Sequence, residues 1–406
     1  MKTIVFIVND YLPKPSANGI CVENICNFLN KEFNIHIICQ KNELYQQEYE
    51  KINSIHVHRI LTNERKKRLG AKSSIELNLV KINKYIKDCV GESTVDFDLE
   101  RMIYRKIEEL HQSYDIDVLI PVCFPFESIM ACIRFKEHFN VPFIELLFDK
   151  FSDSNTRHRN RLNKRIKYKK NQSLEKKSFK EARSILATND WKNYFADKNL
   201  EANFIGIPAL LFDKEVVNFV SDNGDKKAIY AGSLSRTMRP VNRTSKILKQ
   251  YFMMYNDLSI EFYTSSSNLT PLKKLKKFFP NKISIYNSIS QSELKKRYSD
   301  VDLLISIGNI DITQTPSKVF EYIGMRKPII HFYRDKKDPV NLILSDYENS
   351  LLVNQYGNYG ETVEQIREFI SKEMCAPELS ILEKKYNYAL PEYVAEKLAL
   401  EIRRID

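Results

Sequence analysis

The feature that most constrains this chain is a series of short apolar runs, separated by segments with helical spacing, that starts twice. In the first half the runs are 3–8, 35–39, 57–60, 118–122, 143–148, 185–188 and 204–207, with helical patterns between them at 22–29, 102–110 and 129–139. The series then resets at 228–231, 260–263, 283–286, 303–307, 329–332 and 351–353. Runs without polar alternation predict strands covered on both faces, and helices between them predict parallel, doubly wound sheets. A chain of 406 residues is too long for one ordinary core, so the reset predicts an α/β protein of two Rossmann-like domains. The expected bounds are 1–208 and 226–385, with 209–225, rich in Asp, Asn-Gly and mixed charge, as the linker. The last segment, 386–406, places Val394, Leu398 and Ile402 on one face and predicts an amphipathic helix.

Several function classes drop out on composition. The opening MKTIVFIVND has too short an apolar run for a signal-peptide core and reads as a buried strand. No window approaches the roughly 20 apolar residues of a membrane span. Seven cysteines, odd in number and never spaced C-x-x-C, argue against disulfides and structural zinc and fit a reducing cytoplasm. The net charge of +11 calls for an anionic partner: nucleic acid, a membrane surface or a phosphorylated ligand.

Three strand–helix junctions carry candidate chemistry. Strand 301–308 leads through NIDITQ into TPSKVFEYIG. There Thr315 suits an N-cap and Pro316 the first helical position, which would leave amides near Ser317 and Lys318 facing the strand's carboxyl end. Glu321, at i+3 from Lys318, could accept hydrogen bonds from vicinal hydroxyls, as ribose-binding acids do. A capped core helix with a surface Lys318–Glu321 ion pair fits the same residues. In IYAGSLSRTMRPV, a Gly232-Ser233 turn is followed by Arg236 and Arg239, which could clamp a diphosphate with forked hydrogen bonds; a solvated basic loop is the plainer alternative. In NDYLPKPSANGICVENI, Gly19 would allow close approach of backbone to a ligand, although an ordinary strand–helix turn fits as well. There is no G-x-G-x-x-G fingerprint and no Walker A sequence.

Together AGSLSRTMRP, SISQSELKKRYSDVDLLISI and TPSKVFEYIGMRKPII resemble the GT-B glycosyltransferases, specifically the retaining group 1, family 4-like class. The resemblance spans essentially the whole chain. It implies a donor nucleotide sugar held by the second domain, an acceptor at the first, and a C-terminal helix crossing back to the first domain. Carried over by position, it implies that Glu321 holds the donor ribose and that Arg236 and Arg239 meet the diphosphate beside Gly232 and Ser233. Ser317 and Lys318 would assist, and the segment from Asn287 to Ile289 would border the base. Gly19 matches an acceptor-side glycine loop, and Asp149 a polar residue facing the reaction centre. Three departures stand out. The usual basic pair after the first strand of the second domain is displaced, which leaves the choice between Arg236 and Arg239 open. The family's E-x7-E would need an acid at Thr313, whose role could pass to Asp311 or to amides of 309–313, and a histidine common before the Asp149 position is replaced by Phe148.

No metal is expected. The D-x-D triplets Asp96–Asp98, Asp115–Asp117 and Asp300–Asp302 arise readily in a charged chain, and His56 and His58 are expected to flank the core. The run RHRNRLNKRIKYKK, 157–170, holds eight Lys or Arg and no acid. Nucleic-acid recognition would want a zinc knuckle, an RNP motif or stacking aromatics, and none is present, so no nucleic-acid partner is expected. Following the implied acceptor strand, the run reads as a contact for anionic lipid headgroups or a lipid diphosphate; a solvated helix fits equally. The expectation is therefore a cytoplasmic glycosyltransferase, peripheral on the inner face of a membrane. It would move a sugar from a nucleotide-diphosphate donor to a glycan or lipid-linked acceptor, as in cell-surface polysaccharide synthesis, without cofactor or metal. A sugar-nucleotide epimerase of the same fold is the alternative, and a basic nucleic-acid-binding protein a more distant one.

Overall fold

The computed structural model describes residues 1–90, 94–154, 161–213, 225–265 and 269–405, with side chains for all of these except 87, 88 and 161–164. The chain forms two compact units, Met1–Ala209 with Tyr388–Asp406, and Leu210–Asn387. Most of the expected linker, 214–224, lies outside the described residues.

In the first unit, β1 (Thr3–Ile7), β2 (Asn34–Gln40), β3 (Tyr49–Ile52), β4 (Ile55–Ile60) and β5 (Val118–Pro121) lie in the order β3-β4-β2-β1-β5. β6 (Ile144–Leu147), β7 (Ser184–Thr188) and β8 (Asn203–Ile205) continue beside β5 through parallel bridges from Leu119 to Phe143 and from Val122 to Leu146. Only β3 runs antiparallel to its neighbour. It joins β4 through Asn53 and Ser54, both at positive φ (48° and 70°), the backbone of a tight hairpin turn. Its sequence, YEKI, is largely exposed and has no apolar run, which is why the sequence gives no sign of it. The helices are α1 (Ala17–Leu29), α2 (Asn63–Gly70), α3 (Ser74–Val90), α4 (Phe97–Tyr114), α5 (Glu127–Phe139), α6 (Arg161–Glu181) and α7 (Lys192–Ala196). Val5, Ile7, Leu119, Ile129, Phe135 and Trp191 belong to one continuous buried cluster.

The second unit has one parallel sheet, in the order β11-β10-β9-β12-β13-β14. Its strands are β9 (Lys226–Ala231), β10 (Leu258–Tyr263), β11 (Ile283–Tyr286), β12 (Leu303–Ile307), β13 (Ile329–Tyr333) and β14 (Ser350–Asn354). Its helices are α8 (Asn242–Met254), α9 (Thr270–Phe278), α10 (Gln291–Ser299), α11 (Lys318–Gly324), α12 (Pro339–Ser345), α13 (Tyr359–Ser371) and α14 (Leu379–Lys385). Every strand expected from an apolar run is present. In each unit the winding reverses at one place, between β1 and β5 and between β9 and β12. Loops leaving the carboxyl ends of such a pair go to opposite faces, so a crevice opens there.

The last helix, α15 (Pro391–Arg403), belongs to the first unit, where it packs on α1. Val394, Leu398 and Ile402 are buried, as their spacing requires. Arg403 donates from Nε and Nη2 to the Glu32 carboxylate at 2.7 and 2.6 Å, and the Lys2 ammonium donates to the Ile402 carbonyl at 3.3 Å.

Candidate functional site

The crevice at β9 and β12 is built by two loops that grip each other. After β9, Ser235 and Arg239 exchange backbone hydrogen bonds at 3.2 Å, and the Met238 amide donates to Ser235 Oγ at 2.9 Å, which closes a tight turn. After β12, the Ile310 amide donates to the Met238 carbonyl at 2.8 Å and ties the second loop to the first. Across this join, Arg239 donates from Nε and Nη2 to Asn309 Oδ1 at 3.1 and 2.8 Å, and from Nη1 to the Ser233 carbonyl at 3.4 Å. Asn309 is only 7 % exposed, so the guanidinium is held by a partner that water cannot easily replace. Gly232 has φ +157°, and a Cβ there would lie 3.2 Å from the Tyr230 hydroxyl and 3.4 Å from Arg239 Nη1. The glycine is what lets the turn fold back over the arginine.

α11 lies against the same strand end. Tyr322 is buried, and its hydroxyl accepts from the Ala231 amide, the last residue of β9, at 3.1 Å. Burial pushes the hydroxyls of Tyr322 and its ring neighbour Tyr298 well above the ordinary tyrosine range, so both stay neutral. α11 begins at Lys318, with Ser317 at the cap position and no side-chain capping bond, rather than with Thr315 as cap. The Pro316 carbonyl already accepts from the Val319 amide at 3.3 Å, so a turn closes ahead of the helix. With seven residues its dipole is small, and the charge offered to a ligand is that of side chains. Lys318 and Glu321 form an ion pair, each about a fifth to a quarter exposed. The helix ends at Gly324, where a Cβ would fall 2.3 Å from the Leu211 carbonyl, and Arg326 follows in the left-handed region at φ +57°.

The remaining expected residues divide. Asp311 and Thr313 stay in the β12 loop, where Asp311 Oδ1 accepts from the Thr313 amide at 3.0 Å and its hydroxyl at 2.7 Å. Asn287 and Ile289 follow β11, the edge strand two places from β9, at the same carboxyl end. Between them and Gly232 runs a ledge that the sequence does not announce. The Gly232 amide donates to the Tyr263 carbonyl (3.0 Å), the Thr264 amide to the Tyr286 carbonyl (3.1 Å), and the Tyr263 and Tyr286 rings stack at 5.0 Å. Arg236 does not join Arg239. It is exposed and lines a separate hollow of about 500 Å³ with Lys246, Lys249, Lys274 and Phe278 of α8 and α9.

In the first unit, Asn18 at the start of α1 donates to Asp149 Oδ2 at 3.0 Å, which sets the residue before Gly19 against Asp149. The Gly19 amide donates to Ser16 Oγ (3.2 Å), and a Cβ on Gly19 would meet the Asp10 carbonyl at 2.1 Å. The close approach at this glycine is thus to the loop's own backbone.

One acid of each D-x-D triplet holds backbone. Asp96 caps α4, Asp117 Oδ2 accepts from the Thr3 amide (2.6 Å) and Asp302 Oδ2 from the Lys227 amide (2.7 Å). His36, His56 and His58 stack across β2 and β4, with 3.0 Å between His36 Nδ1 and His58 Nε2. Burial lowers His36 to about 3 and His58 to about 4, so both are neutral. Among the described residues no group of three or more His, Cys, Asp or Glu is placed to hold a metal ion. In the basic run, 157–160 lie outside the described residues, Lys167 is buried, and Arg165, Lys169 and Lys170 are exposed.

Against known proteins, no family model and no curated sequence matches this chain. Solved structures do. A sucrose-phosphate synthase from Thermosynechococcus elongatus aligns over 100 % of this chain and 99 % of its own, with TM-score 0.66 and 10 % identity. An E. coli trehalose-6-phosphate structure bound with UDP-2-fluoro glucose aligns over 100 % of both chains, with TM-score 0.64 and 10 % identity. The fold is GT-B. A putative UDP-N-acetylglucosamine 2-epimerase from Listeria monocytogenes is also similar, over 99 % of this chain and 96 % of its own, at TM-score 0.60 and 11 % identity. This GT-B chain therefore has a fold shared by sugar-phosphate synthases and by an epimerase, and its chemistry must be argued from its own residues. No helix among the described residues is long and apolar enough to cross a membrane.

Proposed function

We propose that this chain is a glycosyltransferase that moves a sugar from a nucleoside-diphosphate donor to a glycan or lipid-linked acceptor. The observation that carries the proposal is Arg239, fixed by buried Asn309 over the Gly232–Ser233 turn at the β9/β12 reversal. When the sugar departs, negative charge grows on the diphosphate, and a pre-positioned guanidinium stabilises that charge without reorganising. Lys318 supplies a second cation from the neighbouring α11. Glu321 is free to leave Lys318 and accept the ribose hydroxyls once a diphosphate draws the ammonium away. The Tyr263–Tyr286 ledge, next to Asn287 and Ile289, offers an aromatic surface to the base. Asp311, already bonded to Thr313, takes the place of the absent first acid of E-x7-E. Transfer retains the anomeric configuration and needs neither metal nor cofactor, side chains alone neutralising the diphosphate. The similarity to a protein bound with UDP-2-fluoro glucose supports a uridine donor. Asp149, held by Asn18, serves the acceptor side, in polysaccharide synthesis at the cytoplasmic face of a membrane met through 157–170.

The test is Glu321→Ala, titrated by calorimetry with UDP- and GDP-sugars. Losing a charged hydrogen bond costs about 1.5–3 kcal/mol, so donor affinity falls roughly 10- to 150-fold while the fold survives. A variant that binds the donor as tightly as the parent removes Glu321 from the ribose. The epimerase reading draws support from the Listeria structure. It predicts that a UDP-sugar incubated without acceptor is recovered as its epimer, whereas the transferase reading predicts donor consumption that depends on acceptor.

A further inference from the structure

α3 displays its apolar stripe on the outside. Ile75, Leu79, Ile82, Ile86 and Val90 fall at i, i+4, i+7, i+11 and i+15, one face of the helix, and are between 52 and 82 % exposed. The half-buried residues of α3, Leu77 and Val80, lie on the other side, and Lys84 is tied to Glu64 of α2 at 3.1 Å. Surface helices ordinarily turn such a stripe inward; here a stripe about 22 Å long faces away from the core of its own unit.

The surroundings are basic. Residues 63–90 hold eight Lys or Arg against three Asp or Glu, and Lys66 and Lys67 of α2 are exposed. Thr94, four residues beyond Val90, is tied to Asn171 of α6 by two hydrogen bonds of 3.3 Å. Four residues span at most about 14 Å, so the end of α3 stays near the half of α6 that exposes Arg165, Ile166, Lys169 and Lys170. Apolar stripe and cationic flank thus belong to one region of the first unit.

We propose that α3 docks this chain on an anionic phospholipid bilayer. Its stripe lies among the acyl chains near the headgroup boundary, and the cations of α2 and α6 meet the headgroup phosphates. A second copy would fit this surface worse. An isologous contact sets the same patch against itself, and the basic flanks would repel. The inference extends the membrane contact proposed for 157–170, stands on side-chain exposure in α3, and does not depend on the sugar-transfer reading.

The experiment is vesicle flotation of the whole chain with phosphatidylcholine alone and with phosphatidylcholine mixed with phosphatidylglycerol, at low and high salt. Two variants are compared, Leu79→Ser/Ile82→Ser/Ile86→Ser and Arg165→Gln/Lys169→Gln/Lys170→Gln. Their substituted side chains are exposed, and melting temperature checks that the fold is kept. The wild type should float with the phosphatidylglycerol vesicles and far less with phosphatidylcholine. The serine variant should partition at least tenfold less well at either salt, since each buried CH₂ it lacks contributes to insertion. The glutamine variant should lose only the salt-sensitive part of binding. The proposal falls if the wild type ignores phosphatidylglycerol vesicles at low salt, or if the serine variant floats like the wild type. It falls also if the wild type sediments as a dimer that the serine variant breaks, since a second copy then covers the stripe. Nucleotide-sugar binding by the wild type is read separately, so failure of the transferase reading with flotation intact leaves this inference standing.

Discussion

Replacing Asn309 with Leu should weaken donor binding without touching the donor. Asn309, nearly fully buried, receives at Oδ1 two hydrogen bonds from the Arg239 guanidinium, at 3.1 and 2.8 Å. Both bonds end on one oxygen, so they are counted as one charge-assisted interaction of about 1.5–3 kcal/mol. The bond from Nη1 to the Ser233 carbonyl is long at 3.4 Å, and with the Tyr230 hydroxyl beside the guanidinium it gives a weaker hold than Asn309 does. Leu fills a similar volume but leaves Arg239 less firmly held, with part of about 2 kcal/mol of side-chain entropy to lose again on binding. The expected loss is therefore roughly 10- to 150-fold in affinity for the donor or its nucleoside diphosphate, measured by calorimetry. Asn309 also donates to the Gln314 carbonyl at 3.4 Å, so the melting temperature is followed in parallel to separate loop stability from binding. The decisive comparison is a cycle with Arg239→Gln. If Asn309 works through Arg239, the double variant should be little worse than Arg239→Gln alone. Undiminished affinity in Asn309→Leu, or additive losses in the cycle, would refute the reasoning.

Glu145, on β6, is fully buried, and burial, with the Glu175 carboxylate nearby and against the Ser178 hydroxyl, raises it to about 8. Between the ordinary carboxylate range and pH 8 the folded chain then holds a proton that the unfolded chain releases, so stability falls as pH rises through that window, by on the order of 4 kcal/mol at the upper end. Glu145→Gln should remove that slope and be more stable than the parent near pH 8; urea melts across the window with identical slopes for the two proteins would exclude it. Sugar transfer should survive EDTA, because Arg239 and Lys318 are assigned the neutralisation of the diphosphate. Activity abolished by chelator and restored by manganese or magnesium would overturn that assignment.

The strands were legible because a parallel sheet covered on both faces leaves an apolar run for each one, and 303–307 or 329–332 could hardly be anything else. β3 was not, since YEKI pairs at an exposed edge and needs no apolar side chains. Within the site, composition pointed to the turn after β9 but could not choose between Arg236 and Arg239. The choice depends on Asn309, seventy residues away from Arg239, and only the β9–β12 pairing brings the two together. The same holds for Tyr322, an apolar-looking core residue whose hydroxyl is set against β9 by the fold. α3 shows the opposite limit. Its periodicity states that one face is apolar, yet periodicity is blind to which way that face turns.

What each unit has in common with the other is the geometry of a reversal within its own sheet. On either side of it, successive helices cross to opposite faces of the sheet, so the loops at the carboxyl ends diverge and expose backbone and short polar side chains that elsewhere would be covered. In the second unit this sets Gly232 and Ser233 against Asn309, with Arg239 between. In the first, the Asn9 amide donates to the Phe124 carbonyl at 3.3 Å across the β1/β5 reversal, and Asn18 reaches Asp149 nearby. At the first crevice the Arg65 guanidinium is already neutralised by the Asp10 carboxylate, whereas at the second the Arg239 guanidinium is held by the uncharged amide of Asn309. A guanidinium held by a neutral partner keeps its charge for a phosphate, which supports the proposal that the donor meets the second unit.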